Sequence, residues 1–137
     1  MARKKEVKPS PGELELLQVL WKQGPSTVKQ VHEVVNAKRR PPKSMTTTLK
    51  IMQNMEEKGL VAREGDDRPQ LFRPALEKEA AQSSLLEDLL SRAFQGDTSQ
   101  LVLCALNKGD VSPEELDEIR KLLDAVGSKN SAEVKIQ

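Results

Sequence analysis

Apolar residues recur at helical spacing in six stretches of the chain, with one short alternating stretch between the third and the fourth. Leu14, Leu16, Leu17, Leu20 and Trp21 form a wide stripe behind Ser10-Pro11-Gly12-Glu13, where serine caps, proline takes the first helical position and glutamate the third. Gly24-Pro25 ends that helix, and its tryptophan, spaced with leucines, reads as packing. Val28, Val31, Val34 and Val35 form a second stripe behind Thr27, which has glutamine three residues on, the pattern of a capping box. A third helix spans Ser44 to Lys58, with Gly59 where a left-handed residue ends a helix. Leu60 to Glu64 then reads as a strand, Gly65-Asp66-Asp67 as a turn, and Gln70 to Arg73 as the returning strand closed by Pro74.

The third helix carries the functional signal. At about 100° per residue, Thr46, Thr47, Lys50, Gln53 and Asn54 share an arc of roughly 120°, while Met45, Thr48, Met52 and Met55 cluster opposite. Short hydroxyl and amide side chains reach base edges or phosphate oxygens, and a lysine adds attraction that does not depend on sequence. Many surface helices are polar on one side, so this face alone does not decide. Its neighbours do: a supporting helix before it and a basic hairpin after it make a winged helix-turn-helix. The wing carries Arg63, Arg68 and Arg73; Asp66 and Asp67 repel phosphate, which leaves Arg68 as the expected wing contact. Lys38-Arg39-Arg40 with Lys43 read as a phosphate clamp or as a solvated loop, since Pro41-Pro42 bar a helix there.

Charge divides the chain. Met1 to Pro74 holds 15 Lys/Arg against 9 Asp/Glu, and Ala75 to Gln137 holds 7 against 12, so a nearly neutral total hides a basic front and an acidic rear. That polarity suits a DNA-binding half joined to a half that binds something else. The rear predicts a long helix from Glu77 to Phe94 with Ala81, Leu85, Leu86, Leu89, Leu90 and Phe94, a short apolar helix from Leu101 to Leu106, and a last helix capped by Ser112 with Leu116, Ile119, Leu122, Leu123 and Val126 on one side. Three short helices of about 50 residues do not easily make a core of their own, so burial against a second copy is expected. Folding back on the front half is the alternative. The expected interface residues are Leu85, Leu89, Leu101, Leu103, Leu106, Leu116, Ile119, Leu122 and Leu123. A twofold pair would hold its reading helices about 34 Å apart, matching successive major grooves.

The expected architecture is mainly α with a small β-wing: a flexible basic arm (1–9), a winged helix-turn-helix (10–75), a helical dimerisation region (76–126) and a flexible tail (127–137). One histidine and one cysteine offer no nucleophile and base pair and no zinc set, so neither enzyme activity, metal nor cofactor is expected. Cys104 in its apolar helix reads as a small buried hydrophobe, and His32 as an exposed or half-packed side chain. No apolar run marks a signal peptide or a membrane span, and a lone cysteine fits a reducing compartment, so the expected location is the cytoplasm.

Glu13 to Trp21, Thr27 to His32, Thr46 to Leu49, Glu57 to Val61, Phe72 to Pro74, Leu101 to Leu103 and Ser112 to Arg120, in that order and spacing, resemble the BlaI/MecI penicillinase repressor family over about Ser10 to Asp124. The resemblance implies a homodimeric repressor of antibiotic-resistance genes that binds a palindromic DNA operator, with Thr46, Thr47, Lys50 and Asn54 on the reading helix and Arg68 on the wing. The family often has threonine where Lys50 stands and arginine where Asn54 stands, so operator preference does not carry over. Some members carry a cysteine-rich tail for copper, which a chain with one cysteine lacks. The resemblance also implies a sensor-controlled protease as a partner. The bond it would cut, Asn-Phe in penicillinase repressors, corresponds here to Cys104-Ala105. A winged helix that binds protein, and a winged helix that responds to a small ligand, are the competing functions.

Overall fold

The computed structural model describes residues 8–66 and 68–136. The elements run α1 (Pro11–Gln23), α2 (Val28–Asn36), α3 (Met45–Lys58), β1 (Val61–Glu64), β2 (Leu71–Pro74), α4 (Lys78–Phe94), α5 (Thr98–Lys108) and α6 (Pro113–Ile136). Caps set the helix starts as the sequence predicts. Ser10 and Thr27 make reciprocal capping boxes with Glu13 and Gln30, and Ser44 accepts from the Thr47 amide. Gly59 takes the left-handed conformation that ends α3 and turns the chain into β1.

The strands pair antiparallel from Val61 with Pro74 to Glu64 with Leu71. Ser26 adds a one-residue bridge on the other edge of β2: its amide donates to the Phe72 carbonyl at 3.0 Å, and the Phe72 amide returns a bond to its carbonyl at 2.8 Å. This bridge ties the α1–α2 turn to the wing, and the sequence reading, which stopped at two strands, did not contain it. Around it lies one core of Leu16, Leu17, Val19, Leu20, Val31, Val35, Met52, Met55, Leu60, Val61 and Phe72. Trp21 packs against this core and its indole N–H donates to the Leu76 carbonyl at 2.9 Å, which satisfies the ring's polar edge.

Two stripe positions depart from expectation. Val34 is 48% exposed, because Val31 and Val35 face the core and Val34 lies well off that direction on a helix of only nine residues. Met45 is 42% exposed, since it sits in the first turn of α3 at the rim of the arc that Thr48, Met52 and Met55 bury.

The chain divides into two compact units between Leu89 and Leu90. The expected boundary, after Ala75, lies earlier than this. Leu76 packs on the core of the first unit, and Ala81, in the second turn of α4, is buried. Lys8, assigned to the flexible arm, pairs with Asp88 at 3.1 Å; Arg3, Lys4 and Lys5 lie outside the described residues. In the second unit, α6 begins at a capping box between Ser112 and Glu115 and continues to Ile136, past Val126 where a tail was expected. Lys, Ala and Glu are adequate helix formers, and a single glycine, Gly127, costs only about 1 kcal/mol. Among the described residues no helix is long and apolar enough to cross a membrane.

Glu13 ties the start of α1 to the end of α3. It is 5% exposed, accepts from Lys58 Nζ at 2.8 Å, and closes the α1 cap through the Ser10 amide at 2.9 Å. Burial pushes its carboxyl up, but the hydrogen bonds from Lys58 and Ser10 and the Lys58 charge outweigh that and hold it below its ordinary value. A depressed carboxyl contributes stability that is complete above the unfolded-state value and is lost as pH falls through the folded-state value. The melting temperature of the wild type is therefore expected to fall below about pH 4.3 more steeply than that of Glu13→Gln, whose neutral amide has no such titration. Parallel melting curves for the two proteins across that range would refute this assignment.

Candidate nucleic-acid interface

The start of α3 is fixed from three sides. Asn36, at the end of α2, clasps the loop ahead of α3 at both ends of one residue: its Oδ1 accepts from the Lys43 amide at 3.0 Å and its Nδ2 donates to the Lys43 carbonyl at 3.0 Å. His32, one turn earlier on the same face of α2, places Nδ1 2.8 Å from the hydroxyl of Thr48, which is fully buried. The Asn36 amide nitrogen lies at nearly equal distances, 3.0 and 3.2 Å, from the two ring nitrogens of His32, and so rests against the ring face rather than in line with either lone pair. Glu15 on α1 supplies the third anchor. Its carboxylate accepts from Lys43 Nζ at 3.1 Å and from Arg39 at 3.1 Å.

That last contact bears on one expected site residue. Lys43 was expected to touch DNA, yet its side chain is only 13% exposed and its ammonium turns back toward α1. The physical reason is the nearby carboxylate: a cation that can pair with Glu15 in a half-buried position has less to gain from water. Arg39, expected in the phosphate clamp, is drawn to the same carboxylate. Lys38 and Arg40 are exposed.

The remaining predicted residues of α3 share one exposed face. Thr46, Thr47, Lys50, Gln53 and Asn54 are all exposed, and the Thr47 hydroxyl also lies 2.9 Å from the Ser44 hydroxyl at the cap. Met45 and Leu49 border this face at 42% and 41% exposure, and the sequence reading did not count either as a site residue. At the wing, Arg68 is exposed beside the tip, which Gln70 closes by donating to the Gly65 carbonyl. Arg73 is exposed as well. Arg63 instead pairs with Glu56 at 2.9 Å and lies over the Phe72 ring, 5.2 Å from its centroid, so it braces the wing against α3.

His32, Asn36 and Glu15 are the positioning residues that sequence reasoning missed. The spacing of His32 and Asn36, four apart and beside the buried Val35, was the available signal: two polar residues facing inward on one helix must find partners.

The apolar residues expected at a dimer interface stand on α4 in the first unit and on α5 and α6 in the second. Leu85, Leu101, Leu106, Leu116 and Ile119 are half-buried; Leu89, Leu103, Leu122 and Leu123 are 49%, 54%, 64% and 58% exposed. Cys104 and Ala105 are both exposed on α5, so Cys104 is not the buried hydrophobe expected: Leu101 and Leu106 are the half-buried positions of that helix, and residues 102–105 turn outward. Among the described residues no group of three His, Cys, Asp or Glu side chains could hold a metal ion.

The model of the penicillinase repressor family matches residues 9–125. The transcriptional regulator BlaI of Mycobacterium tuberculosis is 30% identical over 115 residues, covering 82% of this chain and 81% of that protein. The methicillin resistance regulatory protein MecI of Staphylococcus aureus is 23% identical over 116 residues, covering 84% and 92%. Among solved structures, the monomeric form of Bacillus licheniformis BlaI in complex with the blaP half-operator is similar with a TM-score of 0.47 and 20% identity, over 57% of this chain and 93% of that one. The chain belongs to the penicillinase repressor family and is a DNA-binding transcriptional repressor, not an enzyme.

Proposed function

We propose that this repressor works as a homodimer on a palindromic operator, with the exposed face of α3 entering the major groove in each half-site and Arg68 meeting the sugar-phosphate backbone. The observation that carries this reading is the held posture of α3: a polar face of Thr46, Thr47, Lys50, Gln53 and Asn54 on a helix whose first turns are pinned by Asn36, His32 and Glu15. A reading helix needs such pinning, because base contacts discriminate only when their donors and acceptors hold register. The second copy joins through the exposed apolar positions of α4, α5 and α6. The description of the family and the names of its relatives favour antibiotic-resistance genes as the targets, and work on DNA favours the cytoplasm as the location. Release by a sensor-controlled protease would act at Cys104-Ala105, whose two side chains are accessible and whose helical main chain must unwind to enter a protease cleft.

Salt dependence tests the reading face. Duplexes enriched from a randomised pool should bind with an affinity that falls steeply with ionic strength, since bound lysines and arginines release counterions. Lys50→Ala is expected to weaken binding and to reduce the slope of log affinity against log salt by about one, whereas Lys43→Ala should leave that slope unchanged. Asn54→Ala should relax preference at one base-pair position at a cost of about 1–3 kcal/mol in discrimination. A slope that moves with Lys43 and not with Lys50 would show that the wrong face was chosen.

A further inference from the structure

At positions 48 and 49 the chain inverts the ordinary rule of burial. Thr48 is fully buried and Leu49, its neighbour, is 41% exposed. Burying the threonine requires a partner for its hydroxyl, which His32 supplies at 2.8 Å. Leaving the leucine outside forgoes burial that a small core could use. The same choice recurs one turn earlier, where Met45 stands 42% exposed. At about 100° per residue, Met45, Leu49 and Gln53 follow one another around α3 and continue directly into Thr46 and Lys50. An apolar edge thus borders the polar face on the same rigid helix. Departures from local consistency of this kind concentrate where a protein does its work.

The one apolar group that a base pair offers in the major groove is the C5-methyl of thymine. We infer that Leu49, with Met45 beside it, reads thymine methyls in each half-site and is a specificity-determining residue of this repressor. The inference rests on the proposed entry of α3 into the major groove and adds to it the base that the apolar edge selects. Hydroxyl and amide groups on the polar face would select donors and acceptors; the leucine selects for a methyl that cytosine lacks at the same carbon.

Deoxyuridine provides the test, because it keeps every hydrogen-bonding group of thymidine and removes only the methyl. The probe is the tightest duplex recovered by the full chain from a randomised pool, with each thymidine replaced in turn. The wild type is expected to lose about fourfold in affinity at one or two thymidines per half-site, the worth of one buried methyl. Leu49→Ala, at an exposed helical position where alanine is the better helix former, should bind the thymidine duplex more weakly and lose no further affinity on those replacements. Leu49→Met should restore the sensitivity, and Met45→Ala tests the second contact in the same way. Deoxyuridine effects of equal size in the wild type and Leu49→Ala, or none at any position, overturn the inference while leaving the proposed DNA-binding mode standing. Failure of the pool to enrich any duplex overturns both.

Discussion

Replacing Leu122 and Leu123 together by glutamate is expected to leave a folded chain that is monomeric at micromolar concentration and binds its operator about a hundred- to ten-thousandfold more weakly. Both leucines are more than half exposed on α6, at 64% and 58%, and Val126 and Leu103 stand at 52% and 54%. A side chain already in water in the single chain can become charged at little cost to that chain's fold. In a dimer the same side chains are covered, each buried leucine contributes about 1.5–3 kcal/mol, and a carboxylate put in its place must shed its hydration without a partner. In the proposed dimer that makes four such replacements, all on the expected contact face. Affinity then falls because each reading helix must bind its half-site alone, without the high effective concentration that a tethered second helix provides. Sedimentation at micromolar concentration reads the first effect, and titration of the operator duplex reads the second. A double variant that still sediments as a dimer would remove α6 from the interface.

Phe72→Ala should destabilise the first unit by about 3–5 kcal/mol, a large share of the roughly 5–15 kcal/mol total of an ordinary domain. Phe72 is 3% exposed and is the residue where three parts of the domain meet. Its backbone carries both bonds to Ser26, its ring fills the core beside α1, and the Arg63 guanidinium covers the ring's outer face. The backbone bridge survives truncation, but the ring's volume does not, and the surrounding helices cannot close fully on the space left. Arg63 loses its platform while Glu56 retains it, so the wing should loosen with respect to α3 even in the molecules that remain folded. Denaturant unfolding followed by far-ultraviolet circular dichroism measures the loss. A change under about 1 kcal/mol would mean that the wing contributes little to the core.

Local chemistry made much of the fold legible. The caps at Ser10, Thr27 and Ser44 and the turn at Gly59 depend on residues three or four apart, and each stands where its pattern predicts. The inward face of α3 at Thr48, Met52 and Met55 was equally plain from periodicity, as was the outward set from Thr46 to Asn54. Contacts between distant residues were not legible. Glu15 and Lys43 stand 28 positions apart, and nothing in either local stretch announces that the lysine turns inward. The Ser26 bridge to the sheet is a single residue with no strand pattern around it. Leu49 was placed on neither face: its helical angle lies between the inward and outward sets, and its 41% exposure shows on which side it stands.

Chemical protection of guanine N7 tests the central claim most directly, because that atom lies in the major groove and a helix seated there shields it. On the tightest duplex from the randomised pool, the full chain is expected to protect guanines in two windows centred about one helical turn, or a whole multiple of it, apart, with protection lost in both windows for Lys50→Glu. Guanines that stay fully reactive while the duplex is saturated, or a protection pattern that Lys50→Glu leaves intact, would contradict it.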